Sequence, residues 1–305
     1  MSSSRPPLDL IGRIAERLGK QSEAPVVPNA PDASGASTLL ATATPLASER
    51  ALDARGNGHA GSGPSAGIEL DLVQLQKEGY LTPQNQRSLI AEEYRIVKRP
   101  LLRSAFDRSK SGEQNSHVVM VTSAKPGEGK TFTAINLAMS VASERDLYVL
   151  LVDCDIRRMT LSRKLGVGDR KGIMDVLLNP KMAVSDVIVK TSIPNLALIP
   201  TGQPIEAATE LFASQSMANL VDELASRYPD RFIIFDTPPV LASSEPSVLA
   251  LHVGHVIMVV AAGETTKAAI AESLPLVNSC PNVHFILNRA KMVAGQDRFG
   301  YYGNY

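Results

Sequence analysis

Apolar residues recur along this chain in two rhythms. Short continuous apolar runs at Val118–Thr122, Tyr148–Val152, Leu196–Ile199, Phe232–Phe235, Val256–Val260 and His284–Leu287 read as buried strands. Between them, Lys130–Glu144, Ile173–Leu178, Met217–Ser226 and Lys267–Leu274 carry apolar residues at helical spacing. Continuous apolar strands alternating with helices predict an α/β fold, a mostly parallel sheet with helices on both faces. Upstream, Leu70–Tyr80 and Gln86–Lys98 also have helical spacing, broken at Pro83. Pro100 and the polar run Ser109–Ser116 are expected to separate these two helices from the main domain. Leu8–Lys20 reads as a short amphipathic helix, with Leu10, Ile11, Ile14 and Leu18 on one side. From Gln21 to Gly67 the chain turns to Pro, Ala, Ser and Gly. That composition buries too little surface to offset the entropy of ordering, so it predicts a disordered linker. The expected organisation is a helix over 1–20, a linker over 21–67, a helical docking segment over 68–110, a main domain over 111–294 and a flexible tail over 295–305.

Charge narrows the range of functions. The 31 basic and 31 acidic residues balance, which argues against a nucleic-acid binder that relies on a broad basic surface. The two cysteines, Cys154 and Cys280, have neither metal-ligand nor redox spacing and fit a reduced compartment. No apolar run approaches the roughly 20 residues that span a bilayer, and charges interrupt every early apolar stretch, unlike a secretory signal. The expectation is a cytoplasmic protein that other components hold at a membrane if it works there.

The chemistry starts after the first strand. Ala124-Lys125-Pro126-Gly127-Glu128-Gly129-Lys130-Thr131 joins that strand to a helix, the context a phosphate-binding loop requires. Gly127 and Gly129 let backbone amides approach phosphate oxygens, and the helix N-terminus adds unpaired N–H donors. Lys130 would reach the β- and γ-phosphates of ATP, and the Thr131 hydroxyl would ligate Mg²⁺. The expected nucleotide contacts are therefore Lys125, Pro126, Gly127, Glu128, Gly129, Lys130, Thr131 and Phe132. Ala124 departs from the glycine that the strict pattern has first. Two further strands end on carboxylates, Asp153 and Asp155 after one and Asp236 after another. Ligands collect outside the carboxyl ends of strands in open parallel sheets. Hard carboxylate oxygens there suit Mg²⁺, with Thr131, Asp153 and Asp236 as the expected metal set. A carboxylate could also take a proton from an attacking hydroxyl. Either strand-end motif alone would also serve as a helix cap.

Three of the seven tyrosines, Tyr301, Tyr302 and Tyr305, crowd the last five residues. A nucleotide site joined to a tail of phosphate acceptors suggests a kinase that modifies itself. On these motifs the chain resembles the bacterial tyrosine kinases of polysaccharide synthesis, relatives of the MinD-type P-loop ATPases. Walker A corresponds to Ala124–Thr131, Walker A′ to Leu151–Arg157, Walker B to Ile233–Asp236, and the tyrosine cluster to Tyr301–Tyr305. Glu92-Glu93-Tyr94-Arg95-Ile96-Val97-Lys98 is similar to the family's oligomerisation motif, with Lys98 in place of its second arginine. The likeness runs from about Glu92 to the C-terminus.

The resemblance implies an ATP- and Mg²⁺-dependent autokinase of exopolysaccharide synthesis, with Lys130, Asp153, Asp155, Arg157 and Asp236 catalytic. It also implies a ring-like homo-oligomer built through Glu92, Arg95 and Lys98, each tail entering a neighbour's site. A membrane-spanning chain-length regulator would activate the chain and recruit it to the inner face of the cell membrane. Asn288 is similar in position to the base-recognising asparagine of MinD-like proteins, and an ordinary turn asparagine fits there as well. Two rival readings are a MinD- or ParA-like ATPase switch, in which Lys125 reaches across a dimer, and an ATP-binding scaffold of an export complex.

Overall fold

The computed structural model describes residues 67–106, 115–203, 208–212 and 214–290. The chain divides into two units, Met1–Ser65 and Ala66–Tyr305, and every described residue belongs to the second. The predicted helix of residues 8–20, the linker as far as residue 66, and the tyrosine tail lie outside the described residues.

In chain order the elements are α1 (Leu72–Lys77), α2 (Leu89–Phe106), β1 (Val118–Ser123), α3 (Lys130–Ala142) and β2 (Tyr148–Asp153). Next come α4 (Thr160–Lys164), α5 (Ile173–Leu178), β3 (Val189–Lys190), β4 (Leu196–Ile199), α6 (Ala208–Phe212) and α7 (Gln215–Arg227). The domain closes with β5 (Arg231–Asp236), α8 (Glu245–Leu249), β6 (His255–Ala261), α9 (Lys267–Ser273) and β7 (Val283–Asn288). The predicted strands are all present, each within one residue of its expected ends. Among the strands β3 alone went unforeseen, because two residues cannot carry a periodicity, and the five-residue helices α4, α6 and α8 were missed for the same reason.

The strands form one sheet in the order β3-β4-β2-β5-β1-β6-β7. All neighbours run parallel except β3, which is antiparallel to β4. Both faces are covered, so alternate residues of one strand enter two different cores. Val119 and Val121 of β1 pack into one apolar layer, and Val118 and Met120 into the other. This double burial is why the strands read as unbroken apolar runs. Inserting β5 between β1 and β2 sets Asp153 directly beside Asp236 and Asp236 beside Val121. Three strand ends thereby meet at one edge.

The segment before β1 departs from expectation. The helix expected over Gln86–Lys98 begins at Leu89 and continues through Pro100 to Phe106. Leu101 and Ala105, beyond the proline, are buried in the same layer as Val119 and Val121. Apolar residues keep their helical spacing past Pro100, and their burial outweighs the one backbone hydrogen bond that proline forfeits. Leu70, Leu75, Tyr80, Leu81, Ala91 and Tyr94 join that layer too. Residues 67–106 thus form an arm laid along α3, closing one face of the sheet.

Candidate active site

The loop after β1 turns on glycines that no other residue could replace cheaply. Gly127 and Gly129 have φ of 86° and 97°, in the left-handed region that side chains disfavour. A Cβ at Gly129 would also be driven into the Asn288 carboxamide. Ala124, by contrast, is not among the positive-φ residues, so its methyl group costs nothing where the strict motif has glycine. The loop is braced from both sides. Glu128 is buried and accepts from the Lys125 amide at 2.8 Å and from the Thr265 hydroxyl at 2.5 Å. Asn288 Nδ2 donates to the Glu128 carbonyl at 2.9 Å, and Arg289 donates to the Gly127 carbonyl at 2.6 Å. Arg289 also grips Glu264 at 2.7 Å. With its carbonyls tied down, the loop leaves the amides at the start of α3 as an anion cradle.

Below the cradle lie three carboxylates in different electrostatic situations. Asp155 Oδ2 is 2.8 Å from Lys130 Nζ, a nearly buried ion pair. Asp153 is committed to hydrogen bonds. Its Oδ2 accepts from the Ser162 amide at 2.8 Å and the Ser162 hydroxyl at 2.6 Å, while Oδ1 accepts from the Asp155 amide at 3.1 Å. Burial raises the Asp153 carboxyl, and the Ser162 bonds pull the other way. Asp236 is fully buried, and among the described residues the Thr131 hydroxyl is the one hydrogen-bonding group beside its carboxylate, which has no closely aligned partner. Burial pushes this carboxyl up to about 8, the Lys130 ammonium drawing it down and the neighbouring Asp153 pushing it further up. A buried carboxylate this sparsely partnered calls for a cation. Among the described residues no group of three or more His, Cys, Asp or Glu could cage a metal. A partial set of Asp236 and the Thr131 hydroxyl instead suits Mg²⁺, which retains waters and shares its coordination with phosphates.

The structure therefore brings together Lys130, Thr131, Asp153, Asp155, Asp236 and the glycines, as the motifs required. Other expected residues fall elsewhere. Lys125 is exposed, and so is Arg157 beside Arg158. Phe132 turns its ring to the arm, with its centroid 5.0 Å from that of Tyr80. Asn288 is spent on the loop and on the Arg289 amide, which it accepts at 2.9 Å. Glu92 and Arg95 pair with each other on the exposed side of α2, whereas Lys98 is buried within its own chain. Tyr301, Tyr302 and Tyr305 lie outside the described residues. Cys154, set between two aspartates, is fully buried, and burial holds its thiol well above the ordinary value. Such a thiol is not poised for oxidation. Ser162, Thr265 and Arg289 went unforeseen because they act through tertiary contacts, with no local spacing to reveal them.

Three comparisons bear on this site. The AAA domain family model AAA_31 matches residues 116–280. The tyrosine-protein kinase YwqD of Bacillus subtilis is 30% identical over 71% of this chain and 88% of its own length. The tyrosine-protein kinase wzc of Salmonella typhimurium is 32% identical over 62% of this chain, which spans only 26% of that relative. Among solved structures, the kinase domain of the Escherichia coli tyrosine kinase ETK superposes with a TM-score of 0.54 at 28% identity, covering 66% of this chain and 78% of that one.

Proposed function

This chain belongs to the bacterial tyrosine-kinase family, and from that premise we propose that it moves the γ-phosphoryl group of ATP to tyrosine hydroxyls of residues 301–305 on a neighbouring copy. The observation that carries this reading is Asp236, a buried carboxylate beside the Thr131 hydroxyl and the Lys130–Asp155 pair under the amide cradle. Thr131 and Asp236 would hold Mg²⁺, which when bound neutralises and aligns the phosphates. Lys130 leaves Asp155 for the nucleotide phosphates, and the Asp155 carboxylate is released toward the reacting end. A new bond forms between the tyrosine oxygen and phosphorus, the bond to the β-phosphate oxygen breaks, and ADP departs. The phenol proton passes to a carboxylate of the Asp153–Asp155 pair. A tyrosine with a pKa of about 10 needs this positioning and this base at neutral pH.

The tyrosines elsewhere support a tail acceptor. Tyr80 and Tyr94 are buried, and burial pushes the Tyr94 phenol up to about 12. Tyr228 is held under the Arg231 guanidinium, 4.2 Å from the ring centroid. Tyr80 and Tyr94 cannot enter a neighbour's cleft without unpacking the fold, and the half-buried Tyr148 and Tyr228 sit on the domain body, not on a tail. No helix among the described residues is long and apolar enough to cross a membrane. The proposed setting is the cytoplasmic face of the membrane, in an oligomer switched on by a membrane-spanning regulator of polysaccharide chain length, and the proposed role is control of exopolysaccharide synthesis. Glu92 and Arg95 remain on the surface for contacts between copies.

The test is to incubate the purified chain with ATP and Mg²⁺, with and without such a regulator, and map phosphotyrosine by mass spectrometry. Modification confined to residues 301–305, lost in Lys130→Ala and in a chain ending at Gly300, is the expected result. Hydrolysis to free phosphate without phosphotyrosine would mark an ATPase switch instead, and nucleotide binding without turnover a scaffold.

A further inference from the structure

The arm touches the catalytic machinery at polar points, and these fall on one stripe of α3. Tyr80 packs its ring on Phe132, and the Leu81 amide donates to Asn136 Oδ1 at 2.6 Å. Asn136 is fully buried in the middle of the helix, and its Nδ2 donates back to the Phe132 carbonyl at 2.9 Å. One turn on, Lys98 Nζ donates to the Ser140 carbonyl at 2.6 Å and pairs with Glu144 at 2.7 Å. Residues 132, 136 and 140 are spaced four apart, a single face of the helix, and Glu144 lies just beyond its end. A second branch of the arm reaches the carboxylate side. Glu78 pairs with Lys164 at 2.5 Å, and Lys164 belongs to α4, the helix whose Ser162 holds Asp153. The start of the arm also joins the edge strand, Ile68 donating to Lys190 at 2.9 Å.

Apolar packing alone would hold α3 on the sheet without setting where along its axis it comes to rest. A buried ammonium and a buried carboxamide behave differently, since each is costly unless it meets its partner. They make one axial position of α3 strongly preferred. Ser140 is ten residues from Lys130, about 15 Å along the helix, and the amide cradle is that helix's other end. The ammonium at the C-terminal turn also favours the helix dipole that draws an anion to the N-terminus.

We propose that Lys98 is a positioning residue of the nucleotide site, clamping the phosphate-binding helix from behind, and is not a contact between copies. The proposal rests on the nucleotide-binding part of the function proposed above. It is tested by measuring the Kd for ATP, the thermal midpoint and the sedimentation of full-length wild type, Lys98→Met, Lys98→Arg and Glu144→Gln. Lys98→Met is expected to weaken ATP binding by about tenfold through a displaced cradle, with the assembly unchanged. Lys98→Arg, which keeps a cation at the helix end, should recover most of that loss. Glu144→Gln, at a half-exposed position that leaves the fold intact, should weaken binding by about threefold. Wild-type affinity in both Lys98→Met and Glu144→Gln overturns the proposal, and so does a Lys98→Met chain that binds ATP normally but falls to monomers. Should Lys98→Met not fold, the Glu144→Gln affinity decides. Wild type that binds ATP yet leaves tyrosine unmodified sinks the kinase reading and leaves the clamp standing.

Discussion

Single residues in the cleft are set by burial against hydrogen bonding. Asp153 and Asp236 occupy matching positions on adjacent strands, yet one accepts three hydrogen bonds while the other, among the described residues, has just the Thr131 hydroxyl beside it. The consequence appears in the pH dependence of stability. The Asp236 carboxyl, ordinarily near 3.8, is pushed to about 8 when folded. Between those values the folded chain holds a proton that the unfolded chain has released. Stability from this group is therefore present at acid pH and declines as pH rises through the window, the full penalty standing above the folded value. In chelator, Asp236→Asn should overtake wild type in thermal midpoint as the buffer is taken from acid to alkaline. Added Mg²⁺ and nucleotide should close the gap by favouring the carboxylate. A constant difference between the two proteins at every pH would contradict this account. The cradle glycines and the carboxylates were legible at this scale because backbone φ and strand-end charge leave marks in residue type. Ser162 left none, since a serine nine residues after an aspartate is unremarkable until the chain folds.

At the scale of elements, the strands were legible nearly to the residue because each is buried on both faces. The helices show where local pattern runs out. All of α3 is buried except Phe132, and a helix buried around its circumference needs a second cover. The arm is that cover, and α2 continues through Pro100 to supply it. Proline signals a break in local terms, and here packing overrules it. Pro100 still forgoes a backbone hydrogen bond inside a helix. Replacing it with alanine restores the donor at some cost in unfolded-chain entropy, for a net gain of about 2 kcal/mol. Equilibrium denaturation of Pro100→Ala should show a higher midpoint with an unchanged slope. A lower midpoint would mean that the proline's fixed backbone sets the path of the arm.

At the scale of the whole molecule, the described residues form one sheet between two apolar layers, and the arm belongs to one of them. Leu70, Leu75, Tyr80, Leu81, Tyr94 and Leu101 are all buried there, each worth about 1.5–3 kcal/mol. Their sum is comparable with the ordinary net stability of a domain, about 5–15 kcal/mol. A chain beginning at Ala66 should therefore unfold in the same cooperative thermal transition as the full chain. One beginning at Asn115 should lack that transition and expose the α3 face, which calorimetry and dye binding would register. Retention of the transition without residues 66–114 would show the arm to be an accessory to an independent core.

The order of the main strands and the helices between them, the glycine turns and the strand-end carboxylates were all determined by sequence. Each follows from local chemistry: burial period, backbone freedom, and charge at a chain reversal. Tertiary structure alone decided that Asp236 is sparsely partnered among the described residues while Asp153 is saturated, that Asn288 and Arg289 brace the loop, and that Lys98 turns inward. These depend on which distant segments meet. The strand order, with β5 between β1 and β2 and the arm across α3, brings them together, and no spacing along the chain encodes it.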